Sequence, residues 1–435
     1  MKRFLIFGLV TALLAANLTV GAWVYLTPAH AAERRDSEDA SLALFQNVLE
    51  KVRADYVDGT NLTYRALVYS ALNGMVDSLD PHSEFLDASD FQQLQDDTQG
   101  AFGGLGLVVA MKDGYITIVA PMEDTPGFRA GILSGDRIVK INGRSADKMS
   151  LQDAVDELRG KPGTSVTITI QRPSSGLEKD ITLTRAIISM EMVKDINGKQ
   201  EFPLGPDKIG YIRITEFGDN TGDELQAALD KLKAQGMKAL ILDLRWNPGG
   251  LLDQAVEVSQ KFLPRGQLIV STEGRDSVEK YFADGDGDEL HGEPMVVLVN
   301  LGTASAAEIV TGCLQDLHRA VILGQKTFGK GVVQSIFPLG DGAALKLTTA
   351  KYYTPSRQII EEHGITPDIY VPISDETEAA LLIKRSPGGI ESLPDNERAI
   401  VDKVKDVQLD RAEDLLKSVL LYGELEKAPE KVAAK

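Results

Sequence analysis

The chain has 435 residues, enough for several domains with filled cores, and its 43% hydrophobic content is that of folded protein. Acidic residues outnumber basic ones by 64 to 46, a net charge of −18 that repels a phosphate backbone and argues against a nucleic-acid partner. A single cysteine, Cys313, excludes an internal disulfide framework and a zinc ribbon.

In chain order, Lys2 and Arg3 precede an uncharged apolar run from Phe4 to Leu26, and Ala29-His30-Ala31 supplies a small-x-small cleavage point. Residues 1–31 therefore read as an export signal. The run exceeds the roughly 7 to 15 residues of a cleaved signal and approaches the roughly 20 of a membrane span, so cleavage and retention as an anchor both stay open. The address expected is the periplasm, with attachment to the inner membrane as the second fate. After a polar linker, Leu42, Phe45, Val48, Leu49 and Val52 recur near helical spacing, and a second helical pattern runs from about Tyr64 to Ser78 before Asp80-Pro81 stops it. Residues 37–98 are expected to be a helical region.

From Gln99 the texture changes to short β runs broken by glycine and proline, with one helical stretch, "LQDAVDELRG", among them. Residues 99–187 resemble a PDZ domain. Gly103, Gly104, Leu105 and Gly106 match its carboxylate loop, "AGILSGDRIVKING" its following turn and strand, and Leu151 to Arg159 its groove helix. Such a loop suits the task physically, because glycines let several backbone N–H groups converge on a terminal carboxylate. A bound peptide would then add as a strand beside Leu107 to Ala110.

Past Ile188 apolar strands ("KIGYIRITEF", "KALILDLRW", "MVVLVN", "AVILG") alternate with helices, which implies a sheet covered on both faces over residues 188–373. Residues 374–435 return to helix and charge, with "RAEDLLKSVLLYGEL" strongly amphipathic and the last residues a frayed tail. The fold class expected is a multidomain α/β protein: a helical N-terminal region, an inserted β-rich PDZ domain, an α/β catalytic core and a helical C-terminal segment.

The strand "MVVLVN" runs into "LGTASAAEIVTGCLQD", a turn of small residues opening a helix. That arrangement exposes a side chain and aims helix N-terminal amides at the same place, so Ser305 is a candidate nucleophile and the N–H of Ala306 a candidate oxyanion donor. Neither Gly-Asp-Ser-Gly-Gly nor Gly-x-Ser-x-Gly occurs, so the trypsin and α/β-hydrolase templates fail and lysine becomes the candidate base. Lys330 lies on a glycine-flanked loop after the next strand. Gly324 to Lys330 also mimics the opening of a phosphate-binding loop, but Gly331 stands where a magnesium-binding Ser or Thr is required. A lysine base at neutral pH must lose about two or three units from its usual pKa, which burial without a carboxylate partner can supply. In "RWNPGG" two adjacent glycines open a helix and can donate a bare amide, and the sequence does not choose between Gly249 and Gly250. "DGDGDELHGE" starts like a calcium loop at Asp284, Asp286 and Asp288, but Glu289 and Met295 break its pattern, so it reads as a solvated acidic loop. Cys313 reads as core. No metal-ligand set and no cofactor motif is evident.

Together, "TASAAEI", "FGKGVVQ", "LDLRWNPGG", "DPHSEFL" and "TPD" around a PDZ-like segment resemble the carboxyl-terminal processing proteases, tail-specific Ser–Lys peptidases. The resemblance implies Ser305 as nucleophile, Lys330 as general base and Gln334 as the residue orienting the lysine. It also implies protein substrates with apolar C-terminal tails, assembly with further copies of the chain, and room for an adaptor protein. For Arg159 two readings stand side by side: a link between PDZ position and the active site, as in similar proteases, or an arginine satisfying its helix's last carbonyls. The competing function is an inactive scaffold that binds peptide C-termini.

Overall fold

A computed structural model describes residues 37–427, apart from 59–61, 113, 123–124, 134, 174, 286, 386–389, 391–392 and 394. The expected export signal at residues 1–31, Asp286 of the acidic loop and the residues from 428 onward lie outside the described residues. The rest falls into two compact units divided after Phe85.

In the first unit, α1 (Glu38–Asp55) is capped by Ser37 and α2 (Tyr64–Asp77) by Thr63, each side chain accepting a first-turn amide. The Tyr64 hydroxyl donates to Glu50 at 2.9 Å and the Arg53 guanidinium lies over the Tyr64 ring, joining the two helices. α1 buries no residue; Leu42, Phe45 and Val48 keep their apolar face open.

The second unit begins with α3 (Ala88–Gln99), which the sequence pattern groups with the N-terminal helices but which lies beyond the division. Its C-cap, Gly100, takes the left-handed conformation and turns the chain directly into β1 (Ala101–Gly104). An antiparallel sheet follows in the order β2 (Leu107–Lys112), β3 (Tyr115–Pro121), β4 (Arg137–Ile141), β5 (Ser165–Arg172) and β6 (Leu177–Thr184). Its inward residues, among them Ile116, Ile138, Ile168 and Ile170, pack against Ala154 and Leu158 of α4 (Leu151–Leu158). β7 (Ala186–Ser189) returns antiparallel beside β1.

The core sheet runs β8 (Val193–Lys194), β9 (Ile209–Ile214), β10 (Ala239–Asp243), β13 (Met295–Val299), β14 (Val321–Gly324) and β17 (Ile369–Tyr370), parallel throughout except at β8. Its helices are α5 (Thr221–Ala234), α6 (Leu252–Gln260) and α7 (Ala306–Asp316). β10 and β13 are buried at every position, so their two faces carry two cores. Leu240, Leu242, Val297 and Val299 pack against α5, α6 and α7. Ala239, Ile241, Val296 and Leu298 pack against Ala412 and Leu416 of the C-terminal helix α9 (Val407–Lys427). The alternation is the period-two consequence of a strand covered on both faces. An antiparallel run, β15 (Val332–Pro338), β16 (Ala344–Tyr353), β11 (Leu268–Gly274) and β12 (Val278–Phe282), flanks this layer. Along the chain, α8 (Asp375–Arg385) and a short helix at Asp395–Val401 precede α9.

Candidate active site

In a parallel sheet all carboxyl ends face one way, and loops leaving adjacent strands meet there. β10, β13 and β14 are neighbours, and they deliver "RWNPGG", "NLGTAS" and "QKTFGKG" to the same place.

Ser305 is the N-cap of α7 and holds φ 54°, ψ −118°, a left-handed setting that L-residues adopt only when their surroundings impose it. Those surroundings are visible. The N–H of Ser305 donates to Glu308 at 2.9 Å, the N–H of Ala304 to the Asn247 carbonyl at 2.9 Å, and the Thr303 hydroxyl to the Leu244 carbonyl at 2.8 Å. The Ser305 hydroxyl lies 3.2 Å from that of Tyr352 on β16. Burial pushes the Tyr352 phenol up to about 12, so it keeps its proton at neutral pH and is no base.

Glu308 is fully buried one turn into α7. Its carboxylate accepts from the N–H groups of Ser305, Gly329 and Lys330, at 2.9, 2.8 and 2.9 Å, and from the Thr327 hydroxyl at 2.5 Å. The Thr327 oxygen accepts from Ile365 N–H, so its hydrogen is free to point at the glutamate. Burial pushes the Glu308 pKa up and these donors pull against it; four donors around one acceptor-only group match the ionised form. One carboxylate thus ties the serine turn to the lysine loop.

The glycine turn differs between its two members. Gly249 is buried at φ 106°, and a Cβ there would stand 2.7 Å from Ser305 Cβ and 2.9 Å from Ala306 N. Its own N–H is taken by Asn247 Oδ1 at 2.8 Å. Gly250 is exposed, and among the described residues its N–H has no acceptor within the protein, nor does that of Ala306.

Ser305, Lys330, Gln334, Tyr352 and Gly250 line one cleft of about 510 Å³, whose remaining wall includes Phe91 and Leu94 of α3 with Phe217 and Val333. Lys330 is half-buried. Gln334 donates through Nε2 to Thr348 Oγ1 on β16 at 3.5 Å, which leaves Oε1 as its acceptor. Among the described residues no histidine lines the cleft. A larger cavity, about 730 Å³, lies at the opposite end of β13 around Pro294 and Leu416 and contains none of these groups.

In the PDZ-like segment Gly103 and Gly104 belong to β1, paired with Ile187 and Ala186, while Leu105 and Gly106 form the turn into β2. Gly106 has φ +68° and no room for a side chain, since a Cβ would meet Thr125 at 2.2 Å. β2, starting at Leu107, is the sheet's edge strand and faces α4. Arg159 does not satisfy its helix's carbonyls; Arg185 does, donating to those of Leu158 and Glu157 at 3.0 and 2.7 Å. Arg159 instead reaches Asp97 on α3 at 3.4 Å and lies over the Phe102 ring. Cys313 is wholly buried and burial pushes its thiol up, as a core residue requires. Of the acidic loop, Asp288 pairs with Arg319 and accepts the amides of Leu290 and Gly292, and among the described residues no cluster of ligating side chains suited to a metal occurs.

Two family models match the chain: peptidase family S41 over residues 208–371 and the PDZ domain over 117–172. A carboxy-terminal-processing protease of Bartonella bacilliformis is 40% identical over 99% of this chain and 100% of its own. A Staphylococcus aureus protein described as a "Probable CtpA-like serine protease" is 36% identical over 83% of this chain and 71% of its own. Among solved structures, the photosystem II D1 C-terminal processing protease matches with 30% identity and a TM-score of 0.44, covering 80% of this chain and 98% of that one. The chain belongs to peptidase family S41, in its PDZ-bearing branch. It is a serine-type peptidase of the carboxyl-terminal-processing kind.

The sequence reading singled out Ser305, Lys330 and Gln334 but passed over Glu308 and Tyr352. Glu308 had a signal, the Ser-x-x-Glu spacing of a capping box. Tyr352 had none.

Proposed function

We propose that the protein is an exported endopeptidase that captures the C-terminus of protein substrates in its PDZ groove and cuts nearby with a Ser305–Lys330 dyad. The observation that carries this reading is Glu308: one buried carboxylate binds the backbone of both Ser305 and Lys330, and both side chains open to one cleft. Ser305 Oγ attacks the peptide carbonyl while Lys330 takes its proton and passes it to the leaving amine. Water, deprotonated by the same amine, then releases the acyl group. Gln334 Oε1 orients the lysine without adding the negative charge that would raise its pKa. The amides of Ala306 and Gly250 receive the oxyanion; the engagement of the Gly249 N–H by Asn247 favours Gly250 over its neighbour. The loop from Gly103 to Leu107 holds the substrate's terminal carboxylate, and the tail adds beside β2, whose outer edge has no partner strand among the described residues. Export to the periplasm rests on the composition of residues 1–31. The exposed apolar faces of α1 and of α9, at Leu421, Tyr422 and Leu425, suit contact with further copies of the chain or with an adaptor.

Purified protein is incubated with an unfolded, apolar-tailed substrate. Ser305→Ala and Lys330→Ala each abolish cleavage while keeping the fold, and the double variant is no slower than either, because the two act as a unit. Lys330→Arg is equally inactive, since arginine does not give up its proton. Activity rises with pH through one ionisation; an optimum at about pH 5 would point to a carboxylate base and overturn the dyad. An active Ser305→Ala protein would overturn the reading as a whole.

A further inference from the structure

The C-terminal segment reaches the two catalytic turns from behind. Oε1 of Glu378, on α8, accepts from the indole Nε1 of Trp246 at 2.7 Å and from Nδ2 of Asn300 at 2.7 Å. Trp246 belongs to the turn that carries Gly249 and Gly250; Asn300 opens the turn that carries Ser305. Asn300 Oδ1 in return accepts from the N–H groups of Trp246 and Gly302 at 2.9 and 3.1 Å. The turns are in close contact here, because a Cβ on Gly302 would stand 2.9 Å from Trp246 Cα. Trp246 has φ 58°, a second left-handed non-glycine residue beside Ser305. α8 also meets its indole ring, with the Arg385 guanidinium 5.0 Å from the centroid.

We propose that Glu378 is a positioning residue: from a helix outside the peptidase sheet it fixes the oxyanion turn against the nucleophile turn. The inference rests on the reading of Ser305 and Gly250 given above. Two strained residues keep their conformation only while their surroundings over-determine it, and an oxyanion donor is effective only when held where the charge develops. Trp246 and Asn300 each have one side-chain N–H donor in contact with Glu378, and both use the same oxygen. Loss of that oxygen releases both turns together. Substrate capture in the PDZ groove and the cleft's apolar wall are untouched, so the loss falls on turnover.

The test uses the full chain with Trp23→Phe, which leaves Trp246 as the only tryptophan. Glu378→Ala, Glu378→Asp and Glu378→Gln are compared on one fluorogenic, apolar-tailed peptide. The alanine and aspartate variants lose about tenfold or more in kcat with KM kept within about twofold, and their Trp246 emission shifts. The aspartate variant, which only withdraws the carboxylate by one methylene, supplies the result if the alanine variant does not fold. Glutamine keeps an oxygen that can accept from both donors and restores most of the turnover. Unchanged kcat in the aspartate variant, a kcat loss that merely tracks the unfolded fraction in a thermal melt, or a glutamine variant no better than alanine would each overturn the proposal. Ser305→Ala run in parallel separates the two failures: if it stays active the catalytic reading is wrong, and if it is dead while Glu378→Asp is fully active only the positioning role fails.

Discussion

Glu308 holds Ser305 and Lys330, the two halves of the proposed dyad, through main-chain amides, so any effect it has on catalysis passes through backbone geometry. Glu308→Gln keeps the shape but turns an NH2 group toward amides that are themselves donors, leaving about two of the four without an acceptor. Each unsatisfied buried donor costs about 1–3 kcal/mol. Steady-state kinetics on the variant should show kcat reduced about tenfold or more with KM little changed, and a thermal melt should show a folded but less stable protein. Wild-type turnover in this variant would remove Glu308 from the account. At this scale the sequence was legible where chemistry has a motif: a serine on a small-residue turn and a lysine between glycines. Tyr352 touches Ser305 from 47 positions away on a strand with no motif of its own, and only the folded sheet brings them together.

The elements themselves follow from pattern, the central strands reading as short unbroken apolar runs and the helices as longer stretches of helical spacing between them. Less legible is what fastens the C-terminal helices to the core. Arg245, fully buried, is shared between Asp243, two residues before it, and Asp406, 161 positions later, while Arg385 of α8 spans the same two carboxylates. Local propensity carries no trace of a pairing over that distance. Burial pushes Asp406 up, but the hydrogen bonds and charge of Arg245, with the charge of Arg385, win and hold it below the usual carboxylate range; Asp243 is held down likewise, by Arg245 and Arg385 against its own burial. A depressed carboxyl contributes stability above its unfolded value, about 3.9, and loses it as pH falls through the lower folded value. Asp406→Asn should therefore lower the thermal midpoint at neutral pH, by the equivalent of about 1–3 kcal/mol. The gap between wild type and variant should hold down to about pH 4 and close below it. A gap that widens in acid would contradict this sign.

For the whole molecule, the proposed function requires that a tail held in one place lead to a cut in another. α3 walls the cleft with Phe91 and Leu94, receives Arg159 at Asp97, and runs through Gly100 into β1, just ahead of the turn at Leu105 and Gly106. Amidating the C-terminus of an apolar-tailed peptide should weaken its capture by at most about 1.5–3 kcal/mol, the value of a hydrogen bond to a charged group. Arg159→Ala should leave that discrimination intact while changing turnover at saturating peptide, because it loosens α3 and not the groove. Equal cleavage of acid and amide by the wild-type protein would show that the groove does not read the carboxylate.

The PDZ segment leaves and rejoins the rest of its unit through β1 and β7, hydrogen-bonded side by side from Ala101↔Ser189 to Gly104↔Ala186. Two separate linkers would let a domain tumble, whereas a paired ribbon flexes across its flat face and resists shear and in-plane bending. The PDZ segment therefore has one soft direction, like a door on a strip hinge. Gly103 sits on that strip against the carbonyl of Gly160, with no room for a Cβ, so a side chain there would wedge the hinge and press on the chain just past α4 while lying far from Ser305 and Lys330 in the fold's order of elements.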